Sequence, residues 1–414
     1  MKKFFQSYVF MLIAILAGIF SAFLDIPLIG LLAESITTIF MNFLKLIATP
    51  IVFLAIVATI SNMQGFKEMQ NLGKRVFGYT LFTTMLAASV ALVLFLLIDP
   101  AKNVQMAFEG KEVLEQASYF TFFLNIMPSN FVKAFLENNV IGAALMGFLL
   151  GVAILKLPEE NSKFLSLGFS SIFKAVLKVA GFITIFMPFA IWAFTFLLVK
   201  ELKGNFAHFH SLVLYLSVVI LANFIQGFVV IPLILKMKGI SPTKTAKGAM
   251  KALLLAFFSK SSNATLPVTL EVSEKKLGIS SKVANFSLPL CTVINMNGCA
   301  AFILATVLFV SQIYGNTVSP IGYLFWIVLS TLAAVGNAGV PMGCFFLSST
   351  FLIWMNVPLT MMGLILPFYA FLDMCETALN VWSDISVTAI LDKELKQSER
   401  NELGDLSLDS KCSA

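Results

Sequence analysis

Apolar residues run along this chain in blocks long enough to cross a bilayer, and most of the charge is gathered in the short stretches between them. A helix needs about 20 predominantly apolar residues to span membrane hydrocarbon. The stretches 8–24, 36–61, 76–98, 137–155, 179–199, 211–235, 283–313 and 361–390 qualify, and the longer ones are expected to tilt. Two further apolar segments, 248–272 and 322–357, are interrupted near their middles by polar or small residues and a proline. Non-helical backbone at membrane depth is tolerated only where protein or a water-filled cavity satisfies it, so each segment reads as a re-entrant helical hairpin. The pattern predicts an all-α integral membrane protein of eight spans and two hairpins. Residues 393–414 form a polar tail with no apolar period, expected to be a short amphipathic or disordered end.

Loop charges orient the array. Lys67, Lys74 and Arg75 follow the second span, Lys156 and Lys163 the fourth, and Lys236, Lys238, Lys244, Lys247 and Lys251 the sixth. Basic loops face the cytoplasm, which places both termini inside. Lys275, Lys276 and Lys282 make the far end of 248–272 basic as well. Both of its ends therefore lie inside, as a hairpin requires, and 322–357 is expected to enter from the opposite side. Lys2 and Lys3 ahead of the first apolar run resemble a signal peptide, but no small-residue cleavage site follows, so the run reads as an uncleaved first helix.

Composition agrees with a lipid solvent. The chain is 58% hydrophobic and 12% charged, with 42 Phe, against about 25% charged residues in soluble domains. The net charge of +6 is spread over loops rather than one face, which argues against a nucleic-acid partner. The cysteines (Cys291, Cys299, Cys344, Cys375 and Cys412) form no CxxC, and His208 and His210 are the only histidines. Zinc, haem and Cys–His nucleophile readings lack their second ligand or base, so the cysteines read as small apolar packing residues. No Walker G-x-x-x-x-G-K-[ST] appears. Enzyme and ATP-driven pump classes are thus disfavoured, and no organic cofactor is expected.

The candidate chemistry lies in the last 170 or so residues. The two interrupted segments echo one another, with Asn263-Ala264-Thr265-Leu266-Pro267 in the first and Asn337-Ala338-Gly339-Val340-Pro341 in the second. Paired, interrupted apolar segments point to a transporter's midplane site, where helix N-termini offer N–H groups to an anion. In the last span, Thr377, Asn380 and Asp384 follow Asp373 at i+4, i+7 and i+11, one continuous helix face flanked by Glu376. Intramembrane carboxylates cost roughly 2.5–3.5 kcal/mol each. Asp373 lies too deep to be a surface helix end, so this stripe suits Na⁺ or a proton together with a substrate ammonium. In the seventh span, Asn295-Met296-Asn297-Gly298-Cys299 weakens the helix and frees backbone carbonyls; a Gly-mediated helix contact is the plainer alternative.

Taken together, these runs resemble the dicarboxylate/amino acid:cation symporter family. The signposts are Ser259–Pro267 at the first hairpin, Asn295–Gly298, Gly336–Pro341 and the Asp373–Asp384 stripe. The resemblance implies a homotrimer in the bacterial inner membrane and an elevator movement of a transport core (248–392) against a scaffold (1–247), with 393–414 as a cytoplasmic tail. It implies that Ser261, Ser262 and Asn263 with Gly336, Asn337, Ala338 and Gly339 hold the substrate α-carboxylate. Asp373 then takes the ammonium beside Thr377, Asn380, Glu376 and Cys299, while Asn295, Asn297, Asn380 and Asp384 bind Na⁺ as the coupling ion.

Two departures shape the substrate expectation. Acidic-substrate members carry Arg where this chain has Glu376, and the run Cys375–Asn380 resembles the bacterial serine/threonine:sodium symporter branch. A small neutral amino acid is therefore expected, with Lys260 the one nearby cation that could neutralise Glu376 or meet an acidic substrate. Asn297 replaces the Asp of the family's NMDG version, which implies fewer coupled Na⁺. An acidic amino acid or dicarboxylate carrier, coupled to Na⁺ or H⁺, is the alternative, and an ion channel the more distant one.

Overall fold

The computed structural model describes residues 2–24, 26–61, 70–102, 128–136, 140–204, 206–316, 318–337, 342–355 and 357–412. Among them every regular element is a helix. The first group comprises α1 (Lys2–Leu24), α2 (Pro27–Ser61), α3 (Gln70–Ile98), the short α4 (Phe131–Leu136), α5 (Val140–Leu155) and α6 (Glu159–Gly204). Next, α7 (Phe206–Ile225) passes through a π-helical turn, Gln226–Val230, into α8 (Ile231–Met237). The remainder are α9 (Pro242–Ser259), α10 (Ser262–Lys275), α11 (Ser281–Ile294), α12 (Asn297–Ile313), α13 (Pro320–Gly336), α14 (Gly343–Trp354) and α15 (Thr360–Cys412).

Among the described residues, four stretches are long and apolar enough to cross a membrane: Leu72–Ile98, Phe209–Met237, Ser281–Ile313 and Thr360–Ser398. The remaining apolar blocks appear as shorter apolar runs, such as Leu12–Leu24 in α1, Thr49–Ala58 in α2 and Phe186–Leu197 in α6. Side chains such as Leu16, Phe20 and Leu31 point outward and are more than half exposed, as expected of surfaces solvated by lipid. In the tail, α15 continues as helix to Cys412. The stretch Lys393–Leu403 contains no proline or glycine and is rich in Lys, Glu and Leu, all good helix formers.

Packing falls into two bundles. In the first, α2 lies against α5 and α6, and α1 against α6. Small residues permit these approaches: a Cβ at Gly18 would lie 2.7 Å from the Trp192 carbonyl oxygen, and one at Gly151 2.8 Å from Ile60 Cβ. In the second, α12 is the axis, packed by α3, α7, α13, α14 and α15. All but one of its residues are buried, which a helix apolar on every face requires. Aromatic side chains close this core, with Phe302 and Phe345 at 4.8 and 5.2 Å from the Tyr369 ring. Away from the core, Glu394 on α15 draws α3 and the end of α8 together. Its carboxylate accepts from the Tyr79 hydroxyl and pairs with Lys238 at 2.7 Å and Arg75 at 3.7 Å. That hydrogen bond to Glu394 raises the Lys238 ammonium above the usual lysine range.

Candidate functional site

Three breaks in helical backbone converge on α15. The first separates α9 from α10 at Lys260 and Ser261. Lys260 caps α9 in the left-handed conformation at φ 53°, and Ser261 caps α10, its Oγ accepting from the Ala264 amide at 3.3 Å. The echo pentapeptide Asn263–Pro267 does not form this break; it lies within the first turns of α10. The second break follows α13, where Ala338–Pro341, and with them the expected site residues Ala338 and Gly339, fall outside the described residues. It ends at Met342, also left-handed at φ 62°. A left-handed non-glycine residue costs roughly 1–2 kcal/mol, and such strain clusters at functional sites. Besides these two, only Asp99 has this conformation among the described non-glycine residues. The third break is Asn295–Met296, between α11 and α12.

Asp373 is where the two hairpin breaks meet. The charge of Lys260 and the backbone amide of Met342 both act on its carboxylate, while the buried Tyr369 hydroxyl beside it has no hydrogen-bond partner. Asp373 is 5% exposed and Glu376, one helical turn along, 1% exposed. Neither carboxylate oxygen of Glu376 has a hydrogen-bond partner, nor has Oδ2 of Asp373. Gly298 allows α12 to approach here, since a Cβ on it would lie 2.7 Å from Glu376 Cα. Thr377 spends its hydroxyl on the Asp373 carbonyl at 2.7 Å. Ser262 is buried at the start of α10, whereas Asn263 is exposed. At the second hairpin, Gly336 packs against α2, and the Asn337 amide donates to Cys299 Sγ at 3.0 Å and faces Cys344 Sγ at 3.5 Å. Cys299 and Cys344 are paired as a disulfide, with Cα atoms 5.3 Å apart, a partnership that the spacing of the cysteines gives no sign of.

Further along α15 lies a separate nest of hard oxygen atoms. Asn295 Nδ2 donates to Ser383 Oγ at 2.9 Å and to Asp384 Oδ1 at 3.0 Å. Asn297 Nδ2 donates to Asn295 Oδ1 at 2.9 Å and to Ser383 Oγ at 2.8 Å, and Thr83 of α3 donates to Asn295 Oδ1 at 3.2 Å. Asp384 Oδ2 and Thr80 Oγ1 are buried without a partner. Buried polar atoms are normally hydrogen-bonded, so these orphans, beside amide and hydroxyl oxygens, suit a small hard cation. The structure thus brings Asn295, Asn297 and Asp384 together. It does not bring the Asn380 side chain to them: Asn380 Oδ1 accepts from the Gly298 amide at 2.9 Å, and its amide faces the sulfurs of Met296 and Cys299.

Three members of this nest were not anticipated from the sequence: Thr83, Ser383 and Gln226. Gln226 opens the π-helical turn, and its Nε2 donates to Asn297 Oδ1 at 2.9 Å and the Thr83 carbonyl at 3.0 Å. The turn has a local cause. Pro232 lacks an N–H and its ring crowds the carbonyl four residues back, and Ile231 N–H bonds instead to Gln226 O in the wider register. π-bulges often mark functional positions. A glutamine in the largely apolar block 211–235, one turn after Asn223, was the available signal.

Comparison with known proteins gives the arrangement a context. The family model described as the sodium:dicarboxylate symporter family matches residues 8–394. A Caenorhabditis elegans protein described as a sodium-dependent excitatory amino acid transporter is 31% identical over 259 residues, 62% of this chain. The match spans about half of that relative's length, 51%. Neutral amino acid transporter B(0) of Oryctolagus cuniculus is 25% identical over 399 residues, covering 87% of this chain and 73% of the rabbit protein. L-cystine uptake protein TcyP of Bacillus thuringiensis is 24% identical over 425 residues, covering 94% and 89%. The matched family and these relatives are described as transporters or uptake proteins, not as enzymes.

Proposed function

The chain belongs to the sodium:dicarboxylate symporter family, and from that premise we propose that it imports a small neutral amino acid, serine- or threonine-like, driven by a Na⁺ gradient. The observation that carries this reading is Glu376. Its carboxylate is buried, without a hydrogen-bond partner, and stands one turn from Asp373. A substrate with a single α-carboxylate and an ammonium suits this field. The ammonium goes to Asp373, and the carboxylate to the amides that open α10 at Ser261–Asn263, where a helix N-terminus favours anions, and to the hairpin tip at Gly336–Gly339. A side-chain carboxylate would be carried into the field of Glu376 with no arginine to meet it, and an unpaired buried charge costs several kcal/mol.

Na⁺ is assigned to the nest of Asn295, Asn297 and Asp384, completed by Thr83 and Ser383, with the Asn297 side chain holding Asn295 and Ser383 in place rather than lending its own oxygen. Gln226 supports the expectation of fewer coupled ions: its amide N–H₂ already occupies Asn297 Oδ1 and the Thr83 carbonyl, oxygens that a further cation would otherwise claim. The movement is proposed to be of the elevator kind, in a homotrimer of eight-span subunits in the inner membrane with both termini cytoplasmic. Residues 248–392 form the moving core, and α3, α7 and α8 ride with it because α3 and α7 pack on α12. The rest of 1–247 is the scaffold.

An acidic substrate is the second reading. It is favoured by Lys260, whose charge acts on Asp373 and could serve a second carboxylate, and by the excitatory amino acid transporter among the relatives. Cystine, named for the Bacillus relative, also carries two carboxylates and falls with this reading. Calorimetric titration of the purified protein separates the two. Serine or threonine is expected to bind in Na⁺ and not in K⁺, with aspartate silent. Aspartate binding in Na⁺ with serine silent would overturn the neutral assignment.

A further inference from the structure

We propose that the Cys299–Cys344 pair, when reduced, joins Glu376 in a binding site for a thiophilic divalent cation of the Zn²⁺ class, deep in the core. One sulfur from each cysteine and one carboxylate oxygen of Glu376 lie within 4.8 Å of one another, and all three residues are buried. They come from α12, α14 and α15, so the site exists only in the folded core. Two thiolates and a carboxylate are a donor set that suits Zn²⁺ and does not suit Na⁺.

A second observation points to a ligand independently of the cysteines. Both carboxylate oxygens of Glu376 are buried without a partner although the residue is 1% exposed. A buried carboxylate with both oxygens unpartnered is a ready ligand for a cation. Asn337 offers the fourth donor. Its Oδ1 has no partner where it stands, while its Nδ2 faces both sulfurs. A half-turn of the amide loses no hydrogen bond at Oδ1 and brings that oxygen to the metal side. Gly343 keeps the space open, since a Cβ there would fall 1.5 Å from Asn337 Oδ1.

Coordination and disulfide are mutually exclusive states of the pair. A dithiol or phosphine reductant supplies the two electrons, and solvent the two protons, that turn the disulfide into two thiols; each thiol then releases its proton to solvent as its sulfur takes the metal, so affinity rises with pH, whereas in the disulfide no thiolate is available. A bound cation would tie α14 and the hairpin tip at Asn337 to α12 and α15.

The test uses Cd²⁺ as probe, because its bonds to thiolate produce an ultraviolet charge-transfer band. Full-length protein in a Cys412→Ser background is reduced with a phosphine, freed of reductant and titrated by equilibrium dialysis and absorbance. One Cd²⁺ per chain with the sulfur band is expected. Cys344→Ala and Glu376→Gln should each weaken binding, by about tenfold to a hundredfold on the scale seen for altered metal sites. Oxidising the wild-type pair with diamide should abolish binding without any substitution. Absence of the band in reduced protein, or Cd²⁺ binding unchanged by Cys344→Ala, Glu376→Gln or diamide, would overturn the site. Saturating serine with Na⁺ should displace Cd²⁺, and this arm alone rests on the transport reading. Cd²⁺ bound without competition would leave the metal site standing and contradict the placement of substrate beside Cys299 and Glu376.

Discussion

At the scale of single residues, the account turns on carboxylates held where water does not reach. Asp373 and Asp384 both lie on α15 but serve different neighbours, one the hairpin breaks and the other the amide and hydroxyl nest. Asp373→Asn should weaken serine binding about tenfold to a hundredfold, the worth of one charged hydrogen bond of about 1.5–3 kcal/mol, with the Na⁺ dependence kept. Asp384→Asn should instead raise the Na⁺ concentration needed for half-maximal serine binding, read by titrating Na⁺ at fixed serine. If both variants shift the same parameter, the two regions are not separate sites. Gly298→Ala is a packing test. Its Cβ would press on the backbone of Glu376, and overpacking of this kind costs about 1–3 kcal/mol, to be seen as a lower melting temperature whether or not Na⁺ is present.

At the scale of elements, the two hairpin breaks share a device that the residue pattern hides. Each includes a left-handed non-glycine residue, Lys260 or Met342, and both act on Asp373. Met342→Gly relieves about 1–2 kcal/mol of backbone strain but deletes a side chain buried in the core, a loss of about 2–5 kcal/mol, so the melting temperature should fall, and substrate binding should weaken because the tip is less firmly held. A variant that binds serine as tightly as the parent would remove the functional role of that strain. Much of this architecture was legible in the sequence: the interruption of 248–272 and 322–357, the weak point at Asn295–Met296 and the polar face of α15 all came from local pattern. The position of the first break did not, because Asn263–Pro267 imitates the second tip while an N-cap at Ser261 keeps it helical. Thr83, the Cys299–Cys344 pairing and the partners of Gln226 were out of reach for a different reason. Each acts through contacts across 45 or more residues of chain, and no local period encodes them.

At the scale of the whole molecule, the two bundles meet along helices that would have to slide if transport follows an elevator path. One meeting point is exact in its fit: a Cβ at Gly363 of α15 would fall 2.3 Å from the Phe194 ring of α6. Replacing Phe194 and Gly363 by cysteine in a background that keeps Cys299 and Cys344 but lacks the other cysteines, and bridging them with a bifunctional reagent, should stop uptake while leaving Na⁺-dependent serine binding intact. Undiminished uptake in the bridged protein would contradict relative movement of the bundles. The family explains why helices so apolar surround a polar centre, and the buried, unpartnered Glu376 lies within that centre.

The most direct test of the central claim is uptake into liposomes carrying the purified protein, with labelled serine, threonine, alanine, aspartate and glutamate. Each is measured under an inward Na⁺ gradient, with K⁺ in place of Na⁺, and under a pH gradient alone. The account predicts concentrative serine or threonine uptake under the Na⁺ gradient only, with aspartate and glutamate left outside. Uptake of aspartate or glutamate, or serine uptake driven by the pH gradient without Na⁺, would contradict it.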